Sequence, residues 1–137
     1  MEFFTFISEQ WVLVSVLMVL VYAFAMMERT KSGKPVTTRE LTQLLNSDQA
    51  VLVDIRDSKD FKAGHVVGAI HFPVSRLKTN MSELDRHKEK IVIIADKVGQ
   101  HAGSAGRMLQ QNGFNVRRLG GGMMEWQNQN LPVVKGS

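Results

Sequence analysis

No cysteine occurs anywhere in the 137 residues. Its absence excludes disulfides and thiolate metal sites, together with any chemistry that must store a group on a protein sulfur. A second absence is local. From Gln10 to Met27 there is no acidic or basic side chain, no Gly and no Pro, and the Tyr22 phenol is the one ionisable group. About 18 residues at ~1.5 Å each give a helix of roughly 27 Å, close to the hydrocarbon thickness of a bilayer. Phe3, Phe4 and Phe6 lengthen that apolar cylinder, while Trp11 and Tyr22 lie towards its ends, where amphipathic rings favour the interface. A domain of about 100 residues would struggle to cover a helix apolar on every face, which argues against a buried core helix. Ala23-Phe24-Ala25 has the small-x-small form of a signal-peptidase site. A signal peptide, however, needs a positive start, and this segment carries Glu2 and Glu9 and no Lys or Arg.

All 17 Lys and Arg residues follow Met27, against 11 of the 13 acids, so the chain from Glu28 onward is net +6 and the first 27 residues are net −2. Arg29, Lys31 and Lys34 come directly after the apolar run. The positive-inside rule then predicts a single-pass inner-membrane protein with its N-terminus outside and its domain cytoplasmic. The lipid bilayer is the expected partner of residues 10–27. The sequence pI of 9.6 could suggest nucleic acid. But the basic residues are scattered, with only Arg117-Arg118 and the stretch Arg86–Lys90 loosely grouped, so no nucleic-acid partner is expected and attraction to anionic lipid is simpler.

Residues 1–29 are accordingly read as an anchor, 30–35 as a polar linker ending at Pro35, and 36–137 as one α/β domain. Thr37 and Glu40 have capping-box spacing and open an amphipathic helix with Leu41, Leu44 and Leu45 on one face. Val51–Ile55 is a β-branched run suited to a strand buried on both faces, and Ile91–Ala95 is the strongest such signal. Ala69–Phe72 and Val116–Leu119 read as two further strands. Helical stretches are expected over Asp57–Ala63, Met81–His87 and Gly103–Asn112, the last with Met108 and Leu109 facing the core and Gly113 beyond its end. Gly120-Gly121-Gly122 turns into a final helix holding Trp126. Strands alternating with helices point to a parallel sheet covered on both faces. His65, His71, His87 and His101 show no ligand spacing, and neither a metal nor a cofactor is expected.

Three blocks in fixed order carry a resemblance. The first is Val53-Asp54-Ile55-Arg56, then Asp60-Phe61, then the run from Gly64-His65 through Gly68-Ala69 to Pro73. The second is the strand Ile91–Ala95 with the loop and helix after it. The third is Gly113-Phe114, Val116, Leu119, Gly121-Gly122, Trp126 and Leu131-Pro132. In this order they resemble the rhodanese superfamily over about residues 35–133. The resemblance implies a three-layer α/β/α domain with a five-stranded parallel sheet, here preceded by one transmembrane helix. The glycines are expected at turns and close approaches, and Phe61, Phe72, Phe114 and Trp126 in the core. His65 is expected to bond nearby backbone, and Asp54 with Arg56 to organise the sheet edge.

In active members of that superfamily the strand equivalent to Ile91–Ala95 delivers a cysteine in the pattern C-x-x-G-x-R-S. The loop turns its N–H groups inward above a helix N-terminus, an arrangement that stabilises an anion and lowers a thiol pKa. Counting back from Gly113-Phe114 places Asp96, Lys97, Val98, Gly99, Gln100, His101 and Ala102 in that loop. The glycine is kept as Gly99. Asp96 stands at the cysteine position, His101 at the arginine position and Ala102 at the serine position. A carboxylate cannot carry sulfane sulfur as a persulfide, and no cysteine elsewhere replaces it. Asp96 is instead expected to accept the loop N–H groups itself, as an N-cap does. No catalytic residue is assigned. The expected function is a catalytically inactive rhodanese-like module that binds or regulates a membrane or cytoplasmic protein. The alternative is an enzyme or thiol carrier related to sulfurtransferases, with an altered loop that borrows a partner's cysteine.

Overall fold

The computed structural model describes residues 2–32 and 34–136. Gly33 of the expected linker, the side chains of Arg29 and Lys31, and Ser137 lie outside the described residues. The chain divides into two units, residues 1–30 and 31–137.

Helix α1 runs over Glu2–Ser32 and makes up the first unit, its last two residues belonging to the second. Its stretch Glu2–Met27 is long and apolar enough to cross a membrane. The large apolar side chains along it are exposed, Trp11 at 73% and Leu17 at 60%. Ser8 and Ser15 return their hydroxyls to the carbonyls of Phe4 and Trp11, one turn back, so neither leaves an unsatisfied donor on the apolar surface.

The second unit is an α/β domain. Its elements run β1 (Lys34–Val36), α2 (Thr38–Asn46), β2 (Ala50–Asp54), α3 (Ser58–Ala63), β3 (Ile70–His71) and α4 (Val74–Asn80), then a 3-10 helix (Met81–His87), β4 (Ile91–Ala95), α5 (Ala102–Gln111), β5 (Asn115–Leu119) and α6 (Gly122–Asn128). The five strands form one sheet in the order β1-β5-β4-β2-β3, every pairing parallel. Sheet and layers agree with the fold that the sequence implied. Strand β4 is buried on both faces. Val92 and Ile94 join Val53, Leu77, Leu84, Ala105 and Leu109 in one apolar cluster, whereas Ile93 and Ala95 join Leu52, Leu41, Met123 and Trp126 in the other. The period of two along the strand thus sends alternate side chains to α4, the 3-10 helix and α5 on one side and to α2 and α6 on the other.

Several local expectations need correction. Within the segment read as a linker, α1 continues to Ser32, and Lys34 and Pro35 belong to β1, the fifth strand, which pairs with Arg117–Leu119. Met81–His87 is helical but 3-10 in form, and α4 before it had no counterpart in the sequence reading. On α5 Leu109 is buried, while Met108 is half-buried. At the start of α2 the capping pair is in place, the Glu40 N–H donating to the Thr37 hydroxyl at 3.1 Å and that hydroxyl donating to the Glu40 carboxylate at 3.2 Å.

Candidate functional site

In a parallel sheet, ligand sites form outside the carboxyl ends of the strands. Here β2 and β4 end side by side, with Asp54 opposite Ala95. After β4 the chain makes a tight loop, Asp96 to His101, before entering α5. The Asp96 side chain turns back into this loop and is buried, 2% exposed. Oδ1 accepts the Gly99 N–H at 2.6 Å, and Oδ2 accepts those of His101 and Ala102 at 2.8 and 3.2 Å. Three inward-pointing backbone donors therefore converge on one carboxylate at the N-terminal end of α5. Both the local hydrogen bonds and the helix dipole favour a negative charge there. Gly99 has φ +101°, a conformation that glycine adopts without a Cβ penalty, and it lets the loop close around the carboxylate.

The outer side of the loop is held as well. The N–H of Met123 donates to the Asp96 carbonyl at 2.7 Å, and that of Met124 to the Lys97 carbonyl at 2.9 Å. This approach requires Gly122, whose φ is +64° and where a Cβ would lie 2.6 Å from the Asp96 carbonyl oxygen. The tight turn read from Gly120-Gly121-Gly122 thus brings the start of α6 against the loop backbone.

Asp54 and Arg56 form the opposite support. The Arg56 guanidinium donates from Nε to both Asp54 carboxylate oxygens, at 2.9 and 3.1 Å, and from Nη2 to Asp54 Oδ2 and the Gly64 carbonyl, both at 2.7 Å. The pair is almost wholly buried. It ties the end of β2 to the segment after α3, through Nε and Nη2 of Arg56. His65 donates from Nδ1 to the Phe61 carbonyl and His71 from Nε2 to the Arg56 carbonyl, both at 2.8 Å, since a carbonyl can only accept. Both rings stack on Phe61, at centroid distances of 3.8 and 4.3 Å. These histidines brace the wall of the site.

Between the two supports lies a pocket of about 200 Å³. Ile55, Arg56, Asp57 and Asp60 line one wall, and Asp96, Lys97, Val98, Gln100 and His101 the other. The structure therefore brings most of the loop residues into one cavity. Gly99 and Ala102 are absent from its lining and reach Asp96 through their backbone instead. The sequence reading missed Asp57 and Asp60 as site residues; their position just past the Asp54-Ile55-Arg56 block was the available signal.

The rhodanese-like domain profile matches residues 37–129. The chain belongs to the rhodanese-like family. It is 36% identical to the Escherichia coli protein YibN over 132 residues, covering 95% of this chain and 90% of YibN. A sulfurtransferase of Allochromatium vinosum is 30% identical over 93 residues, 67% of this chain and 85% of that protein. Among solved structures, the rhodanese-related protein of Thermoplasma volcanium superposes with a TM-score of 0.68 at 22% identity, covering 74% of this chain and 97% of its own. Within this rhodanese-like domain there is no cysteine, and the loop after β4 begins with Asp96.

Proposed function

We propose that this chain is a catalytically silent rhodanese-like module, held by α1 at the cytoplasmic face of the inner membrane, that binds or regulates a membrane-associated protein. The observation that carries this reading is the engagement of all three converging loop N–H groups by Asp96. A sulfurtransferase must form a bond between a protein thiolate and the outer sulfur of its donor, then pass that sulfur on. This chain has no thiol. The donors that would hold the incoming anion already face a fixed negative charge. The length and apolarity of Glu2–Met27 support the tether, and the excess of basic residues after Met27 supports the orientation.

Purified full-length protein should give no thiosulfate:cyanide sulfur transfer above background. Turnover at a rate typical of rhodaneses would overturn the silent reading. In cells the protein should resist salt and carbonate extraction, and a C-terminal reporter that works only in the cytoplasm should be active; release by salt or an active periplasmic reporter would remove the tether or its orientation. A second reading draws on the likeness to a named sulfurtransferase. In it, the module assists sulfur transfer on a cysteine of another protein, and activity would return on adding that protein alone.

A further inference from the structure

We infer that the mouth of the Asp96 loop docks a protein segment that presents a basic side chain beside an apolar one; this rests on the reading of the module as a binding domain. The inference starts from which polar groups in the pocket are still available. The backbone donors of the loop are engaged by Asp96. The Arg56 guanidinium is engaged by Asp54 and Gly64. What remains on that wall is the Nη1 group of this guanidinium, whose charge Asp54 already balances, and two acids. Asp57 and Asp60 line the pocket, and neither carboxylate makes a hydrogen bond or ion pair among the described residues.

The facing wall carries His101 and the Lys97 ammonium, which makes no ion pair among the described residues. Two carboxylates, Asp57 and Asp60, against the one ammonium leave the open lining with an acidic excess. The cavity is thus closed to anions at its floor and negative along its wall. Its volume of about 200 Å³ matches roughly six or seven waters, enough for one extended side chain.

The lining also carries an exposed apolar side chain: Val98, in the loop after β4, is 38% exposed. An acidic cavity with an exposed valine in its lining complements a basic residue flanked by an aliphatic one.

Full-length protein in lipid nanodiscs, followed by amide NMR at about 20 mM salt to limit screening, tests the inference. The probes are acetyl-leucyl-arginine amide, acetyl-leucyl-glutamate amide and thiosulfate. The arginine peptide should shift the amides of residues 57–60 and 97–102, while the other two leave them in place. Asp57→Asn with Asp60→Asn should weaken that binding at least tenfold. The double variant should stay folded, since the Asp57 side chain caps no helix N–H. Equal or stronger shifts from thiosulfate or the glutamate peptide would overturn the inference. So would an absence of shifts with the arginine peptide, or an affinity unchanged in the double variant. None of these results touches the sulfur-transfer assay, so a silent protein that fails here loses only its proposed ligand chemistry.

Discussion

Replacing Asp96 by asparagine isolates what the carboxylate does, because the shape is kept and only the charge and one acceptor are lost. The amide oxygen serves best at the Oδ2 position, where it still accepts from His101 and Ala102. The amide NH2 then faces the Gly99 N–H across the 2.6 Å contact now made to Oδ1, donor against donor. One partly buried donor is left unsatisfied, at about 1–3 kcal/mol, and the two surviving bonds drop from charged to neutral strength, about 1 kcal/mol together. The expected loss is therefore about 2–4 kcal/mol. For a domain of about 100 residues this lowers Tm by roughly 10–20 °C. Thermal unfolding of full-length protein in detergent, followed by circular dichroism of the domain, reads this directly. Asp57→Asn is the control and should change stability by less than about 0.5 kcal/mol, as an exposed substitution without partners does. If Asp96→Asn unfolded within 2–3 °C of the parent, the carboxylate would not be what organises the loop, and the account of the silent site would fail with it.

Gly122→Ala should cost about 2–4 kcal/mol, from a left-handed backbone and a Cβ driven against the Asp96 carbonyl, and hydrogen exchange should rise first in residues 96–99. Uniform loosening of the whole domain, with no early rise in the loop, would speak against the grip of α6 on it. Asp96→Cys alone should restore thiosulfate:cyanide transfer weakly, and adding His101→Arg and Ala102→Ser should raise it further, because a guanidinium supplies a permanent charge and a two-pronged donor. Full activity in the single variant would show that the three positions do not act together. Burial, with Arg86 and Lys90 nearby, holds His87 below its ordinary value of 6.5. The native protein then binds fewer protons there than the unfolded chain, so this contribution to stability should fall as pH drops below about 6.5 and level off below the folded value. His87→Gln should remove that part of a denaturant-titrated pH profile, and an unchanged profile would exclude His87 as its source.

Strands β2 and β4 were legible because burial on both faces demands an unbroken apolar run, and few other environments do. Strand β1 was not. It has three residues, one of them Pro35, and only Val36 is buried, so its extended form comes from pairing with β5 rather than from its own composition. Helix α4 escaped notice for a related reason: it follows Pro73 directly and buries Leu77 alone. At the site, the loop was found by counting between motifs, and the bonds to Asp96 followed from local geometry. The hold of Met123 and Met124 on the loop carbonyls joins residues 27 positions apart through their backbones, and such contacts leave no mark on side-chain pattern. The acidic wall was hidden likewise, because Asp57 and Asp60 read as ordinary helix-start residues until β2 and β4 are laid side by side.

An anion cradle left open is filled from solution, and its order then follows the concentration of whatever fits it, through a stabilisation that grows as the logarithm of ligand over Kd. This loop has its counter-ion built in and covalently fixed. Its shape is therefore uncoupled from the supply of thiosulfate, sulfate or phosphate around it, and the surface that it offers stays the same as those solutes rise and fall. A sensor of such solutes could not be made this way, whereas a constant recognition surface could.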